Sequence, residues 1–215
     1  MRPTILKTKL NESNITKQVC KNFTYSFQKE HIFELHKINK SKLPPGYNIG
    51  YITGSSGSGK SLLLKEFGTE ETPKWNKDEA ICSHFDNYED AVQRLQGVGY
   101  NSIPMWLVPR NILSTGQGYR VDLARSIKHN CVKDEFTSFI DRSTAMGLCN
   151  SLQRYIREHN FKNVVFSSVH KDIINYLRPD WVYDTDSDTL TINSNIYEVE
   201  DLENVKFKKK EFMRI

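Results

Sequence analysis

The sequence lacks the features of a membrane or secreted protein. No apolar run in its 215 residues approaches the roughly 18 residues that a membrane-spanning helix needs. The N-terminal segment MRPTILKTKLNES lacks the apolar stretch of a secretory signal. The four cysteines are scattered and form no CxxC pair, so they predict neither a disulfide framework nor a zinc site. We therefore expect a cytoplasmic protein without a membrane partner.

Internal repeats and low-complexity stretches are also absent. The hydrophobic share of 38% and the charged share of 26% are ordinary for a globular protein. The formal net charge of +4 permits an anionic partner without arguing for one. Basic residues do crowd the C-terminus, at Lys206, Lys208, Lys209, Lys210 and Arg214. This cluster is either a solvated tail or a contact to a phosphate backbone.

Apolar runs alternate with helical patterns through the middle of the chain. The apolar runs that suit buried strands are residues 47–53, 80–85, 130–132 and 163–169. The clearest helix covers residues 143–159, where apolar positions recur at helical spacing and Asp141 or Ser143 is available as the cap. This alternation predicts an α/β fold with a mostly parallel sheet.

The two ends of the chain read differently from its middle. A strand at residues 4–9 and a helix at 15–23 precede the turn at 43–46. Short antiparallel strands are predicted near the other end, at 181–183, 189–192 and 196–199. We interpret the chain as one domain over residues 1–215, with a short helical insertion at 86–128 and peripheral segments at 1–42 and 186–215.

Residues 54–61 form a strong phosphate-binding pattern. The run Gly54-Ser55-Ser56-Gly57-Ser58-Gly59-Lys60-Ser61 fits GxxxxGK[ST], follows a predicted strand and opens a helix at Leu62. In such a loop, backbone N–H groups turn onto phosphate oxygens at a helix N-terminus. Lys60 would reach the β- and γ-phosphates of ATP, and the Ser61 hydroxyl would ligate Mg²⁺. A flexible Gly/Ser linker is the alternative, but a linker needs no Lys-Ser before an apolar helix.

Three further motifs carry a family resemblance. Residues 113–125 (LSTGQGYRVDLAR) resemble the signature LSGGQ and its helix in ABC-type ATPases. Residues 132–141 (VKDEFTSFID) resemble the Walker B strand running into the D-loop, and His170 falls where these proteins place their switch histidine. The resemblance covers roughly residues 45 to 185 and implies a P-loop NTPase of the ABC-ATPase type.

The resemblance implies roles for the residues beside the phosphate loop. Asp134 would hold Mg²⁺ through water, and Glu135 would polarise the attacking water. His170 would steady that water and the γ-phosphate. The alternatives are a charged helix start for the acidic pair and an ordinary core histidine for His170.

The signature loop has a role only in a dimer. In ABC proteins it binds the γ-phosphate held by the opposite subunit, which implies that Ser114, Gly116 and Gln117 act in trans. Asp141 would then communicate across the interface. The alternative is that LSTGQG is merely a helix cap that follows a turn.

The sequence departs from the family pattern at three places. His84 stands where the Q-loop glutamine is expected, and it could reach the metal or be an ordinary strand-end histidine. Lys133 replaces the usual aliphatic residue before Asp134, which puts the rate of hydrolysis in doubt more than binding. Phe23 and Tyr25 are candidates for stacking on adenine, and either could instead belong to the core.

The branch of the family is narrowed by a short insertion. Residues 86–112 leave little room for the helical region with which transport ATPases grip membrane subunits. The segments NSIPMWLVP and LRPDWVYD resemble segments of soluble ABC ATPases that are fused to a predicted acetyltransferase domain. The 215 residues contain no acetyltransferase segment, so we expect no acyl transfer.

Three functions remain open at this stage. The first is Mg²⁺-dependent ATP hydrolysis by a homodimer that closes on ATP and acts on a nucleic acid, a nucleic-acid enzyme or another protein. The second is a phosphotransferase that passes the γ-phosphate to a nucleotide or a DNA base. The third is a clamp that closes when ATP binds and hydrolyses the ATP too slowly to matter. The unusual Lys133 is the reason to retain this alternative.

Overall fold

The computed structural model describes residues 4–193. The strands are β1 (Thr4–Lys9), β2 (Glu30–Leu35), β3 (Ile49–Thr53), β4 (Val132–Lys133), β5 (Val164–Ser168), β6 (Trp181–Asp184) and β7 (Thr189–Ile192). The helices are α1 (Asn14–Phe23), α2 (Lys60–Leu64), α3 (Tyr88–Gly97), α4 (Thr115–Ser126), α5 (Arg142–Glu158) and α6 (Ile174–Leu177). The basic C-terminal cluster and the strand predicted at 196–199 lie outside the described residues.

The central sheet has five strands in the order β4-β5-β3-β6-β7. β4, β5, β3 and β6 run parallel, and β7 pairs antiparallel with β6 at one edge. The predicted α/β fold with a mostly parallel sheet and an antiparallel part is confirmed. Because the strands that precede the phosphate loop, the acidic pair and His170 are β3, β4 and β5, the carboxyl ends of three neighbouring strands lie at one edge of the sheet.

Alternating side chains of the inner strands face two hydrophobic layers. On one face Ile49 and Tyr51 of β3 join Phe166 of β5 in a large core under α3, α4 and α5. On the other face Ile52 and Val165 pack with α2 and with residues of β6. Strands covered on both faces are mostly apolar, and every residue of β3 and β5 is buried.

α5 is the main helix of the larger core. Its buried stripe consists of Ala145, Leu148, Leu152 and Ile156, each at most 1% exposed. Asp141 caps the helix by accepting a hydrogen bond from the backbone N–H of Thr144 at 2.9 Å. The helix predicted at 143–159 is confirmed, with Asp141 as its cap. No helix among residues 4–193 is long and apolar enough to cross a membrane.

The strand predicted at residues 80–85 is wrong. Ile81–His84 is a 3₁₀ turn, and the backbone N–H of Ile81 donates to the carbonyl of Val108 rather than to a neighbouring strand. The apolar run is short, and a short apolar run does not by itself distinguish a strand from one buried turn. The strand predicted at 181–183 also needs correction, because it was expected to be antiparallel. β6 pairs antiparallel with β7 on one side and parallel with β3 on the other.

The N-terminal elements form a small separate layer. β1 and β2 pair antiparallel as a two-stranded sheet, and β2 has no counterpart in the sequence expectations. α1, between them, has the predicted bounds within a residue, and none of its residues is buried. Its ends are well capped, by a capping box between Ser13 and Thr16 and by Thr24 in a left-handed conformation.

Candidate functional site

The phosphate loop joins the end of β3 to the start of α2. Gly54 has a φ of 141°, and a Cβ there would lie 2.0 Å from the Thr185 hydroxyl oxygen, so no other residue fits. Gly59 has a φ of 90° immediately before the helix, which is again a left-handed conformation. The loop therefore has the backbone shape that its glycines predict. Because α2 has only five residues, its dipole adds less than that of a full-length helix.

The ammonium group of Lys60 lies inside the loop. Its Nζ donates to the carbonyl oxygens of Gly54 at 3.0 Å and of Ser55 at 2.6 Å. The side chain is buried, so the positive charge is held over the loop rather than in solvent. Ser61 is exposed in the first turn of α2, so a ligand can reach its hydroxyl. These positions suit a lysine and a serine that bind the terminal phosphates and their metal ion.

The turn between β6 and β7 braces the phosphate loop. The Ser55 backbone N–H donates to Asp186 Oδ1 at 2.9 Å, and the Ser55 hydroxyl donates to the same oxygen at 2.7 Å. These hydrogen bonds, the backbone one above all, lower the pKa of the Asp186 carboxyl group. Thr185 adds a contact between its hydroxyl and that of Ser58 at 2.6 Å. The sequence did not point to either residue, because both are far from residue 55 along the chain.

The acidic pair follows β4, as the resemblance implies. Asp134 accepts hydrogen bonds from the backbone N–H of Glu135 at 2.9 Å and from the Ser167 hydroxyl of β5. Glu135 is exposed, has a φ of 49°, and accepts from the Ser138 hydroxyl at 2.8 Å. Neither carboxylate starts a helix, so the alternative of a charged helix start does not apply.

Lys133 is accommodated by an acidic partner that its sequence neighbours do not indicate. Its buried Nζ lies 3.2 Å from Glu70 Oε1 and donates to the carbonyl oxygen of Glu71 at 2.9 Å. The second Glu70 oxygen accepts from the backbone N–H of Asp134 at 3.2 Å. Glu70 therefore compensates the buried charge of Lys133 and helps to hold the acidic pair in place. This contact supports a strand, β4, that is only two residues long.

His170 follows β5 and contacts the segment beyond the acidic pair. Its Nδ1 lies 3.0 Å from the Thr137 hydroxyl oxygen, and its carbonyl oxygen accepts from the Tyr51 hydroxyl at 2.6 Å. Partial burial lowers the pKa of the ring, with a smaller effect from the Arg142 guanidinium, so the neutral form is favoured at pH 7. His170 is half-buried at the sheet edge and is not an enclosed core histidine.

A cavity of about 300 Å³ opens beside the acidic pair. Asp134 and Glu135 form one wall, and Tyr119 and Phe139, whose ring centroids are 5.6 Å apart, form another. Glu70 completes the rim. The carboxylates at the end of β4 are thus open to a bound molecule.

The signature loop lies at the surface, at the start of α4. The Ser114 side chain accepts from the Gln117 backbone N–H at 3.3 Å, and the Gln117 side chain accepts from the Ser114 backbone N–H at 3.0 Å. The loop is therefore a capping box, as the alternative reading expected. Ser114 is exposed, and Gly116 lies against the backbone carbonyl of Phe139. A surface loop of this kind remains able to face a second molecule, so both readings stand.

His84 is held by local contacts. Its Nε2 accepts from the Asn76 backbone N–H at 2.9 Å, and its Nδ1 lies 3.0 Å from the carbonyl oxygen of Ala80. Both ring nitrogens are used in local turns, and the ring packs against Trp75. These contacts favour the reading of an ordinary histidine, and His84 as a metal ligand stays a prediction.

The remaining site predictions fall on exposed positions. Phe23 and Tyr25 are 74% and 79% exposed, so neither belongs to the core, and stacking on adenine stays a prediction. Leu62 is 41% exposed on α2. Asp141 is occupied as the cap of α5, and its role across an interface stays a prediction.

The donor set at the sheet edge fits a magnesium ion. The hydroxyl of Ser61 and the carboxylate of Asp134 are oxygen donors of the kind Mg²⁺ prefers, with phosphate oxygens and water as its other ligands. No group of three or more histidine, cysteine or acidic side chains within the described part of the chain could hold a metal by itself. The residues thus suit an ion that arrives with a nucleotide.

The comparisons with known proteins give structural neighbours only. No family model matches the chain, and no curated protein matches it. Among solved structures, the dimer of MJ0796, described as a bacterial ABC transporter cassette, is 16% identical and has a TM-score of 0.49. The match covers 72% of this chain and 87% of that one.

A second neighbour is of the same kind. CbiO1 from Clostridium perfringens, described as part of the ABC transporter complex CbiONQ, is 17% identical with a TM-score of 0.48. That match covers 73% of this chain and 76% of the other. These values are low, and the neighbours support no functional conclusion about this chain.

Proposed function

We propose that this chain is an ABC-type ATPase that hydrolyses ATP with Mg²⁺ between two copies of itself. The observation that carries the proposal is the order of the sheet. The phosphate loop, the acidic pair and His170 follow β3, β4 and β5, which are parallel neighbours in the order β4-β5-β3. A nucleotide held at residues 54–61 would therefore have its terminal phosphate near both the acidic pair and His170.

The residues divide the reaction among them. Lys60 and the backbone of the loop bind the β- and γ-phosphates, and Ser61 and Asp134 would hold Mg²⁺. The metal would supply positive charge to the phosphate oxygens. Glu135 orients a water molecule and takes its proton as the water oxygen bonds to the γ-phosphorus. The bond from that phosphorus to the β–γ bridging oxygen breaks, and ADP and phosphate are released.

A second copy completes the site in this proposal. Ser114, Gly116 and Gln117 would contact the γ-phosphate held by the partner. The exposure of Ser114 and the partial exposure of Gly116 and Gln117 support this, because the start of α4 is accessible to another molecule. Phe139 is 53% exposed beside Gly116 and gives the same surface an apolar component.

The protein acted on by the dimer would bind the insertion. Ile103, Leu107 and Ile112 are 60%, 67% and 58% exposed within residues 86–112. Exposed apolar side chains in one short segment favour a protein partner over a nucleic acid. Turnover measured with single-stranded DNA, duplex DNA and RNA tests this choice, because a several-fold stimulation by any of them would contradict it.

The proposal is tested with Glu135→Gln. Loss of the carboxylate should lower ATP turnover by at least about 10²-fold while ATP still binds, because the amide cannot take the proton. Light scattering should then show a doubled mass with ATP and the monomer mass without nucleotide. A Glu135→Gln variant that binds ATP and stays monomeric would contradict the dimer.

The same assay addresses the other two functions. Labelled γ-phosphate that appears on a nucleoside or on DNA, rather than as free phosphate, would identify a phosphotransferase. No described contact favours an acceptor pocket of that kind. A slow clamp would bind ATP and dimerise with negligible turnover in the unmodified protein. Lys133, the residue that motivates this slow clamp, contacts Glu70 and Glu71 in the structure. Neither contact involves Glu135.

A further inference from the structure

Thr137 occupies an unusual position just beyond the acidic pair. It is fully buried and has a φ of 69°, a left-handed conformation that β-branched residues rarely adopt. Its backbone N–H donates to the Tyr119 hydroxyl at 3.3 Å, and the preceding Phe136 N–H donates to the Ser167 carbonyl oxygen at 2.8 Å. The surrounding structure therefore holds this residue in a strained conformation.

The hydroxyl group of Thr137 points to one atom of His170. Its oxygen lies 3.0 Å from His170 Nδ1, and among residues 4–193 it has no other hydrogen-bond partner. The backbone of His170 is fixed independently, by the Tyr51 hydroxyl on its carbonyl oxygen and by Ser168 Oγ on its N–H. Within residues 4–193, Thr137 is thus the hydrogen-bond partner of the imidazole ring.

We propose that Thr137 is a positioning residue that fixes the tautomer of His170, so that the ring presents an Nε2–H donor to the terminal phosphate. This inference rests on the proposed ATP site. A buried hydroxyl with a single partner satisfies its hydrogen only by donating it. The hydroxyl therefore donates to Nδ1, which must carry a lone pair, and the ring proton sits on Nε2.

The opposite tautomer is disfavoured by the same contact. If Nδ1 carried the proton and donated to Thr137, the threonine hydrogen would have no acceptor in a fully buried position. The lowered pKa of His170 is consistent with a neutral ring. Within the described residues Nε2 has no hydrogen-bond partner, so its N–H is free to donate to a phosphate oxygen.

The tautomer assigns separate tasks to the two catalytic groups. An Nε2–H is a donor and cannot accept the proton of the attacking water, so that proton goes to Glu135. His170 stabilises negative charge on the γ-phosphate oxygens instead. Thr137 acts through His170 and touches neither the nucleotide nor the water.

The test compares Thr137→Val with Thr137→Ser. Valine keeps the β-branch and the backbone strain but removes the hydroxyl, whereas serine keeps the hydroxyl. The ¹⁵N spectrum of the imidazole, assigned by the loss of its signals in His170→Gln, reports which nitrogen carries the proton. We expect Nε2 to be protonated in the unmodified protein and in Thr137→Ser. Thr137→Val should show a mixture of tautomers.

Kinetics provide the second readout. We expect Thr137→Val to lower kcat by about ten-fold with little change in the KM for ATP. Thr137→Ser should have the kcat of the unmodified protein. A valine variant with the unmodified ring spectrum and kcat would overturn the inference. If the valine variant does not fold, a spectrum of the unmodified protein with the proton on Nδ1 overturns it, and one with the proton on Nε2 supports it. Absence of turnover in the unmodified protein would refute the proposed function, while the ring spectra still test the contact.

Discussion

The two halves of the proposed ATP site are built in different ways. The phosphate loop is held from inside by the ammonium group of Lys60 and from outside by the Asp186 carboxylate of the turn between β6 and β7. The signature loop is held by its own side chains, through the reciprocal hydrogen bonds of Ser114 and Gln117. The first half is thus stabilised by contacts within one subunit, whereas the second would act, in the proposed function, only on a nucleotide held by another copy.

The largest effect is expected from the phosphate loop. Lys60→Met removes the ammonium group that neutralises the terminal phosphates and leaves a side chain of similar length. We expect ATP turnover to fall by at least about 10²-fold and ATP binding to weaken strongly. Titration with a fluorescent ATP analogue measures the binding. The thermal melting curve is the control, and full ATP affinity in a folded variant would refute the role of the loop.

A matched pair of substitutions separates the two readings of the signature loop. Aspartate is as good a helix cap as serine, so Ser114→Asp should change the free energy of unfolding by less than about 0.5 kcal/mol. Its negative charge would repel the partner's γ-phosphate, and turnover should fall by more than about ten-fold. Denaturant melts and phosphate release measure the two quantities.

Ser114→Ala is the counterpart in that pair. It removes the cap and should cost about 1 kcal/mol of unfolding free energy, with a smaller loss of turnover. If Ser114→Asp hydrolyses ATP as well as the unmodified protein, the loop is a helix cap and no more.

The smallest effect is expected at the brace outside the phosphate loop. Asp186→Asn weakens the bonds to Ser55 and should raise the KM for ATP by about 3- to 5-fold. Because the pKa of Asp186 is lowered in the folded state, the charged form contributes stability above the unfolded value of about 3.9. That contribution is lost as the pH falls through the folded pKa.

The melting temperatures of the two proteins check this prediction. Their difference should be constant above about pH 5 and should shrink below about pH 4. A difference that does not change with pH would mean that the carboxylate is not responsible. Lys171, which also contacts Asp186, is charged throughout this range and does not alter the sign.

The parts of the site that were predictable are those encoded by neighbouring residues. The glycines and lysine of residues 54–61 determine a backbone shape over a few positions, so the motif alone predicts the loop. Asp141 as the cap of α5 is a local signal of the same kind. The buried runs of β3 and β5 were recognisable because both faces of these strands are covered.

The missed residues act through distant partners. Glu70 contacts Lys133, which is distant along the chain, and Asp186 contacts Ser55 in the same way. The sequence around residues 70 and 186 does not indicate either pair. Thr137 lies within the recognised motif, but its contact to His170 depends on how two strands pair. The wrong strand prediction at 80–85 also reflects a distant contact. Its apolar residues form a turn, and the backbone N–H of Ile81 in that turn donates to the carbonyl of Val108.

α1 has a consequence for how the molecule should respond to solvent. A ten-residue helix without a buried side chain depends on its caps and backbone bonds, and isolated helices of that length are marginal in water. Its amide hydrogens should therefore exchange with deuterium by local opening, far sooner than those of α5. Hydrogen exchange would then show α1 opening and closing while the central sheet stays intact.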